Sequence, residues 1–284
     1  MTTVHTLASG SSGNALLVSC GETHILVDAG ISCRRITVSL RELGLAPDDL
    51  TAVLITHTHT DHISGLQTLL KRTAFPICVT PQTGRGLVYR LAGIEERLQE
   101  LTLCRPILLG NCTVTAFPTA HDAPGACGFR LDTPVGSIGI LTDTGYITDE
   151  ALDILPGVDL AVLEANHDVE TLRSGSYPYY LKQRILGDEG HLSNENAARF
   201  AVTLAEAGAS EIILAHLSRE NNTPDIAQNA VALALSAAGF IPQLPTESGE
   251  IVSSGPEHSL ILSVAPRDCL SRAHILSRRA VCRK

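Results

Sequence analysis

The segment Leu54-Ile55-Thr56-His57-Thr58-His59-Thr60-Asp61-His62 constrains this chain more than any other. Three imidazoles and one carboxylate fall between His57 and His62. An apolar β-branched run, Ala52-Val53-Leu54-Ile55, leads into the cluster, and Ile63, Leu66 and Leu70 follow it at helical spacing. The cluster therefore stands where a buried strand gives way to a helix. On an extended chain, residues two apart project to the same side. His57, His59 and Asp61 can then converge, and His62 joins them as the chain turns into the helix. Neutral imidazole and carboxylate are ligands for zinc and other first-row divalent metals. A merely polar loop does not call for this density of His and Asp.

Further candidate ligands stand at the ends of later strand-like runs. Thr113–Phe117 leads into Pro118-Thr119-Ala120-His121-Asp122, and Gly139–Thr142 into Asp143-Thr144-Gly145. Leu160–Leu163 leads into Glu164-Ala165-Asn166-His167-Asp168, and Ile212–Ala215 into His216-Leu217-Ser218. Strands that end in His, Asp or Glu are how α/β proteins assemble a site at one rim of a sheet. Earlier in the chain, Ile25–Val27 ends in Asp28, which is either a cap or turn former or a group that orients the histidine loop from behind. Ser9-Gly10-Ser11-Ser12-Gly13-Asn14 is a strong turn signal, with backbone N–H groups facing a phosphate as its functional reading.

The candidates fit a two-metal site. His57, His59 and His121 would hold one ion; Asp61, His62 and His216 would hold the other; Asp143 would bridge them. Two Zn²⁺ or Mn²⁺ ions suit this set, because no cysteine falls at a ligand position. Such a pair lowers the pKa of bound water to roughly 7 and neutralises charge on phosphate oxygens.

At 284 residues and 44% hydrophobic, the chain can bury one large core, and without Trp that core must be mainly aliphatic. Its eight cysteines are scattered with no C-x-x-C pair, so they read as thiols in a reducing compartment. No signal peptide opens the chain, and no run reaches the ~18 apolar residues of a membrane span. A soluble cytoplasmic protein is the expectation. The net charge of −9 argues mildly against broad electrostatic binding of nucleic acid, although two divalent ions would offset part of it at the site.

His57-Thr58-His59-Thr60-Asp61-His62 resembles the H-x-H-x-D-H signature of the metallo-β-lactamase fold. Asp28, His121, Asp143 and His216 follow the order of that fold's other motifs, and the resemblance spans about residues 3–262. It implies an α/β protein built as a four-layer αβ/βα sandwich, with the site at one edge between two sheets. Residues 1–265 would form the hydrolase domain. Residues 266–284 would be a basic C-terminal tail, either solvated and frayed or an arm contacting nucleic acid.

The fold alone does not choose a substrate. Glu164-Ala165-Asn166 resembles the Glu-Ala-Thr loop of RNase Z, and His191-Leu192-Ser193 resembles its His-Ser-Thr loop. That resemblance implies His191 as the general acid and Glu164 as its partner, with Asp61 completing the catalytic set. The short spacing from His121 to Asp143 to His216 leaves no room for the clamping β-CASP domain of RNase J-type enzymes. The whole pattern resembles most the bacterial YycJ (VicX or WalJ) group, which implies a DNA exonuclease of 5′→3′ polarity. His167, Ser12 and Asn14 would then meet the substrate. Tyr177-Pro178-Tyr179-Tyr180-Leu181-Lys182-Gln183-Arg184 is either an amphipathic helix face or a surface for stacking and phosphate contact. The implied partner is nucleic acid, DNA before RNA, with no membrane and with room for a homodimer. A small-molecule or cyclic-nucleotide phosphodiesterase and a glyoxalase II-type thioester hydrolase remain alternatives.

Overall fold

The structure is a computed structural model in which residues 1–243, 246 and 248–277 are described. The first six strands are β1 (Thr2–Ala8), β2 (Ala15–Cys20), β3 (Thr23–Val27), β4 (Ala52–Leu54), β5 (Ile77–Val79) and β6 (Leu98–Glu100). Next come β7 (Ile107–Leu109), β8 (Cys112–Pro118), β9 (Cys127–Thr133), β10 (Gly136–Leu141), β11 (Leu160–Glu164), β12 (Glu211–Ala215), β13 (Ile241–Pro242), β14 (Ile251–Ser254), β15 (Ser259–Val264) and β16 (His274–Leu276). They form a 7-stranded sheet in the order β16-β1-β2-β3-β4-β5-β6 and a 9-stranded sheet in the order β13-β14-β15-β12-β11-β10-β9-β8-β7.

Period-two alternation sorts the side chains into layers. Leu16, Val18, Ile25, Val27, Ala52 and Leu54 of the first sheet pack with Ile138, Ile140, Leu160, Val162, Ile213 and Ala215 of the second, filling the space between the sheets. Their neighbours Leu17, Leu26, Val53 and Ile77 face outward instead, against Ile36 and Leu40 of α1 (Cys33–Glu42). The short α2 (Thr60–Ile63) then leads to α3 (Leu66–Leu70) and α4 (Pro81–Arg90), which add Leu66, Leu69 and Leu87 to the same layer. On the far side, Ala161, Leu163, Ile212 and Leu214 meet Ala151 of α5 (Asp149–Ile154). The remaining helices are α6 (Val169–Ser174), α7 (Tyr179–Leu186), α8 (Asn194–Glu206) and α9 (Pro224–Ala237). Ala201 and Leu204 of α8 and Val231 and Leu235 of α9 complete the outer layer. The result is the expected αβ/βα sandwich, and all five phenylalanines are buried in it.

Helix starts follow local chemistry. Ser193 caps α8 by accepting from the Asn196 N–H, and Thr223 caps α9, with Pro224 in its first turn. β3 to β6 run parallel, as do β10, β11, β12 and β15. The carboxyl ends of each parallel set therefore lie along one rim, where strand-terminal side chains can meet.

The boundary expected at residue 265 is corrected over 266–277. β16 pairs with β1 (Thr2 opposite Leu276), Ser271 N–H donates to the Thr6 carbonyl, and Ser9 N–H donates to the Arg267 carbonyl. The basic residues are pairing groups here: Arg272 meets Glu211 and Glu250, and the buried His274 Nδ1 lies 2.6 Å from Glu211 Oε1. An open edge of β1 would leave backbone groups unpaired, and this segment covers it. Arg278, Arg279, Arg283 and Lys284 lie outside the described residues.

Candidate metal centre

Three of the strand-ending residues take an unusual backbone conformation. Asp28, Asp143 and His216 have φ of 61°, 58° and 55°. Left-handed backbone is uncommon outside glycine, with Asp, Asn and His the most tolerant side chains. It turns each chain sharply at the sheet edge, and all three groups contribute to a single cluster. Gly30 supports the same crowding, because a Cβ there would stand 1.7 Å from the Asp61 carbonyl oxygen. That closeness lets Asn14 N–H donate to Asp61 O and Gly30 N–H to Asn14 O, each at 2.8 Å.

The histidines are held through one nitrogen and left open at the other. His62 Nδ1 lies 2.7 Å from Asp28 Oδ2, His216 Nδ1 2.9 Å from Glu164 Oε1, and His121 Nδ1 3.0 Å from the Gly190 carbonyl. Each acceptor calls for a hydrogen on Nδ1 and turns Nε2 towards the other side chains of the cluster. Thr56 extends the logic. Its hydroxyl hydrogen goes to Asp28, so its oxygen accepts from His57 Nδ1 at 3.0 Å. His59 is turned the other way, with Nδ1 3.2 Å from His121 Nε2 and Nε2 3.5 Å from Asp122.

The Nε2 atoms converge. His62 Nε2 lies 3.3 Å from Asp143 Oδ2 and 3.6 Å from Asp61 Oδ2; His216 Nε2 lies 3.6 Å from Asp143 Oδ1 and from Asp61 Oδ2. His57 Nε2, His216 Nε2 and Asp143 Oδ2 are buried without any hydrogen-bond partner. Orphaned donor atoms aimed at one another are costly unless something else satisfies them. Donor atoms of His57, His59 and His121 lie within 4.8 Å of one another, as do those of Asp61, His62 and His216. The residues thus form a donor set that fits divalent metal ions, and Asp143 joins two further overlapping groups, one with His57 and His62 and one with Glu164, His191 and His216.

Protonation follows the burial and the charges. Burial, followed by the neighbouring imidazoles, keeps His57 well below the usual histidine range, so it stays a neutral donor. Burial acts the same way on His62, but Asp143 and Asp28 overcome it and raise the group to about 9. His216 is raised well above the ordinary value against its burial, by Asp143, Asp61 and Glu164.

Glu164 ends β11 fully buried and still charged. Its Oε1 accepts from His191 Nδ1 at 2.8 Å and from His216 Nδ1 at 2.9 Å; its Oε2 accepts the N–H groups of Thr144 and Leu192 at 3.0 and 3.2 Å. Burial pushes its pKa up, but the His191 charge and these bonds hold it well below the usual carboxylate range. His191 keeps 21% of its side chain exposed, so it faces both the cluster and solvent.

Comparison with known proteins agrees with this geometry. The sequence profile of the β-lactamase superfamily domain matches residues 23–217. The chain belongs to the metallo-β-lactamase superfamily. Within that superfamily it is similar to the exodeoxyribonuclease WalJ of Streptococcus pneumoniae, at 37% identity over 82% of this chain and 87% of the relative. It is 34% identical to the exodeoxyribonuclease YycJ of Bacillus anthracis, over 82% of this chain and 89% of the relative. The metallo-β-lactamase fold protein YhfI from Bacillus subtilis superimposes with a TM-score of 0.67 at 18% identity, covering 96% and 99% of the two chains. No helix among the described residues is long and apolar enough to cross a membrane.

Asn14, expected at the substrate, braces the site: its Oδ1 accepts from Gly10 N–H, and its Nδ2 reaches His62 Nε2 at 3.0 Å. Ser12 is exposed on the loop above it. His167 is buried, with neither ring nitrogen paired. Tyr179 and Tyr180 lie on α7, mostly exposed, and Arg184 of that helix holds Asp122. Four supporting residues went unassigned. Asp122 faces His59 and His121, Thr56 links Asp28 to His57, Ser9 Oγ accepts from His216 N–H, and Asn166 Nδ2 donates to the His216 carbonyl. All four stood in stretches singled out above: Asp122 beside a candidate ligand, Thr56 at the head of the histidine run, Ser9 in the turn signal and Asn166 in the Glu164 loop.

Proposed function

We propose that this protein is a metal-dependent phosphodiesterase that degrades DNA from an end. The observation that carries the reading is the His191–Glu164 contact at the edge of the metal-ligand cluster. Departure of a sugar alkoxide needs a proton, whereas a thiolate leaves without one. A thioester hydrolase would have no use for this pair. Similarity to two relatives described as exodeoxyribonucleases supports DNA as the substrate.

His57, His59 and His121 would hold one divalent ion, and Asp61, His62 and His216 the second, with Asp143 between them. Zn²⁺ and Mn²⁺ both suit this nitrogen and oxygen set. Bound there, the ions would supply an activated water and neutralise charge on the scissile phosphate. The chain's own work is proton management. Protonated His191 donates to the departing oxygen, while Glu164 fixes the ring's tautomer and stabilises its positive charge. His191 and His216 keep Glu164 charged while it does so, and the N–H groups of Thr144 and Leu192 hold its other oxygen in place. Free thiols at seven cysteines among the described residues fit action in a reducing cytoplasm.

The test uses single- and double-stranded DNA and RNA labelled at either end, incubated with Zn²⁺, Mn²⁺ or Mg²⁺ beside a His59→Ala control. Mononucleotides or short products from DNA with Mn²⁺, absent from the control, are expected. Equal product from the control would remove the metal cluster from the reaction and end the proposal.

A further inference from the structure

Eight buried side-chain atoms among the described residues have no hydrogen-bond partner, and five of them belong to the metal-ligand cluster and His167. The other three are Thr6 Oγ1, Ser263 Oγ and Arg267 Nη1. Thr6 accepts the Ser271 N–H at its carbonyl, while Ser263 and Arg267 line one cavity of about 520 Å³. The 266–277 segment forms a wall of that cavity, and none of the metal ligands lines it.

Local structure fixes the walls. Ser263 stands near the end of β15, and Gln228 of α9 ties two sides together by donating to the Gly249 and Leu262 carbonyls at 2.9 and 3.1 Å. Arg267 follows the strand. Its Nη2 donates to the Leu217 carbonyl at 3.1 Å. Gly10 makes room for the guanidinium, since a Cβ there would stand 2.8 Å from Nη1. The guanidinium is thus held in place while Nη1 stays unpaired.

The chemistry left over is that of an anion site. Arg267, Arg272, Asp225 and Glu250 are the lining residues of fixed charge. Arg272 is committed to Glu250 and Glu211, and Asp225 is exposed at the start of α9. Arg267 meets a neutral carbonyl instead, and Ser263 is only 5% exposed. A buried hydroxyl and a buried guanidinium nitrogen without partners are costly unless a ligand meets them. A carboxylate or phosphate accepts from both, through strong charge-assisted bonds. The volume lies within the range of about 300–1,000 Å³ that small organic ligands occupy.

We propose that this cavity binds a small organic anion, a phosphate monoester or a carboxylate, with its anionic head on Arg267 and Ser263 and its body between α9 and the 266–277 segment. The Arg267 carbonyl accepts from Ser9 N–H, and Ser9 Oγ accepts from His216 N–H. Occupancy therefore braces the loop behind His216. The site does not depend on the nuclease reading, and its failure would leave that reading intact.

The test measures binding of 2′-deoxyadenosine 5′-monophosphate, inorganic phosphate and succinate to the metal-loaded full chain by calorimetry. One saturable site should weaken by about ten- to a hundredfold in Ser263→Ala and in Arg267→Gln, the size of one hydrogen bond to a charged group, and should persist in His59→Ala. An anion held by the metal ions would show the opposite pattern. Preference for a phosphate or for succinate identifies the head group. Thermal unfolding guards against a damaged variant. Ser263→Ala removes an atom that the ligand-free fold leaves unpaired, so its midpoint without anion should match or exceed that of the unaltered protein, while the rise produced by the anion should shrink. No saturable binding of any of the three probes would overturn the proposal. So would binding that survives both substitutions, binding lost only in His59→Ala, or a lower midpoint for anion-free Ser263→Ala.

Discussion

Replacing His191 with alanine separates proton donation from every other role the residue could play. The ring touches Glu164 Oε1 at 2.8 Å through Nδ1, which leaves Nε2 for the substrate. A positioned general acid contributes about 10²–10⁴-fold, or about 2.7–5.5 kcal/mol of barrier at 1.36 kcal/mol per decade. That loss should be seen on DNA, whose leaving group is an alkoxide. On bis(p-nitrophenyl) phosphate the leaving phenolate needs no proton, and the loss should stay under about tenfold, because a general acid adds little to a good leaving group. His191 also belongs to a group with Asp143, Glu164 and His216 whose donor atoms lie close enough to share an ion. Metal content must therefore be measured on the same variant, by elemental analysis after gel filtration. Retained metal with a leaving-group-dependent loss supports the acid role. Equal losses on both substrates, or loss of metal, would refute it and make His191 a ligand.

Three further outcomes follow from the same geometry. Glu164→Gln places an amide donor against either the two Nδ1–H groups or the two backbone N–H groups, and neither flip is satisfied. Stability should fall by about 3–5 kcal/mol in urea titration, and an unchanged midpoint would mean that the four bonds to Glu164 carry little. In metal-free protein, His62 is raised to about 9 above the ordinary 6.5. Its contribution to stability is therefore full below about pH 6.5 and lost as pH rises through about 9. Protons compete with metal over the same window, so metal affinity should climb between those limits with proton release, as calorimetry in buffers of different ionisation enthalpy can check. Truncation after Ala265 should open the β1 edge and strip Glu211 of Arg272 and His274. A cost of about 3–5 kcal/mol is expected, and a truncated chain as stable as the full one would show that the docked segment is dispensable.

Legibility from sequence tracked the range of the physics involved. The layers could be read because alternation is local: Ile25, Leu26 and Val27 announce their faces without reference to anything distant. His57 to His62 could be read because the donors crowd one stretch of chain. The pairing of Glu164 with His191 came only through resemblance, since nothing along the chain joins them. The bracing network was not legible. Thr56 is an ordinary strand-end threonine until Asp28 comes within reach, and Asn14 looks like a turn residue until Asp61 is folded over it. The segment 266–277 misled for a related reason. Its arginines look solvated because their partners, Glu211 and Glu250, are acids placed elsewhere by the second sheet.

The backbone at Asp28, Asp143 and His216 also restricts how this protein can diverge. A replacement at any of these positions must both tolerate a positive φ and offer a donor atom, and Asp, Asn and His do so most readily. Drift at the strand tips is thus filtered by conformation before any ion or substrate exerts selection. A random library at position 143 or 216 should return a short alphabet even when it is screened for folding alone.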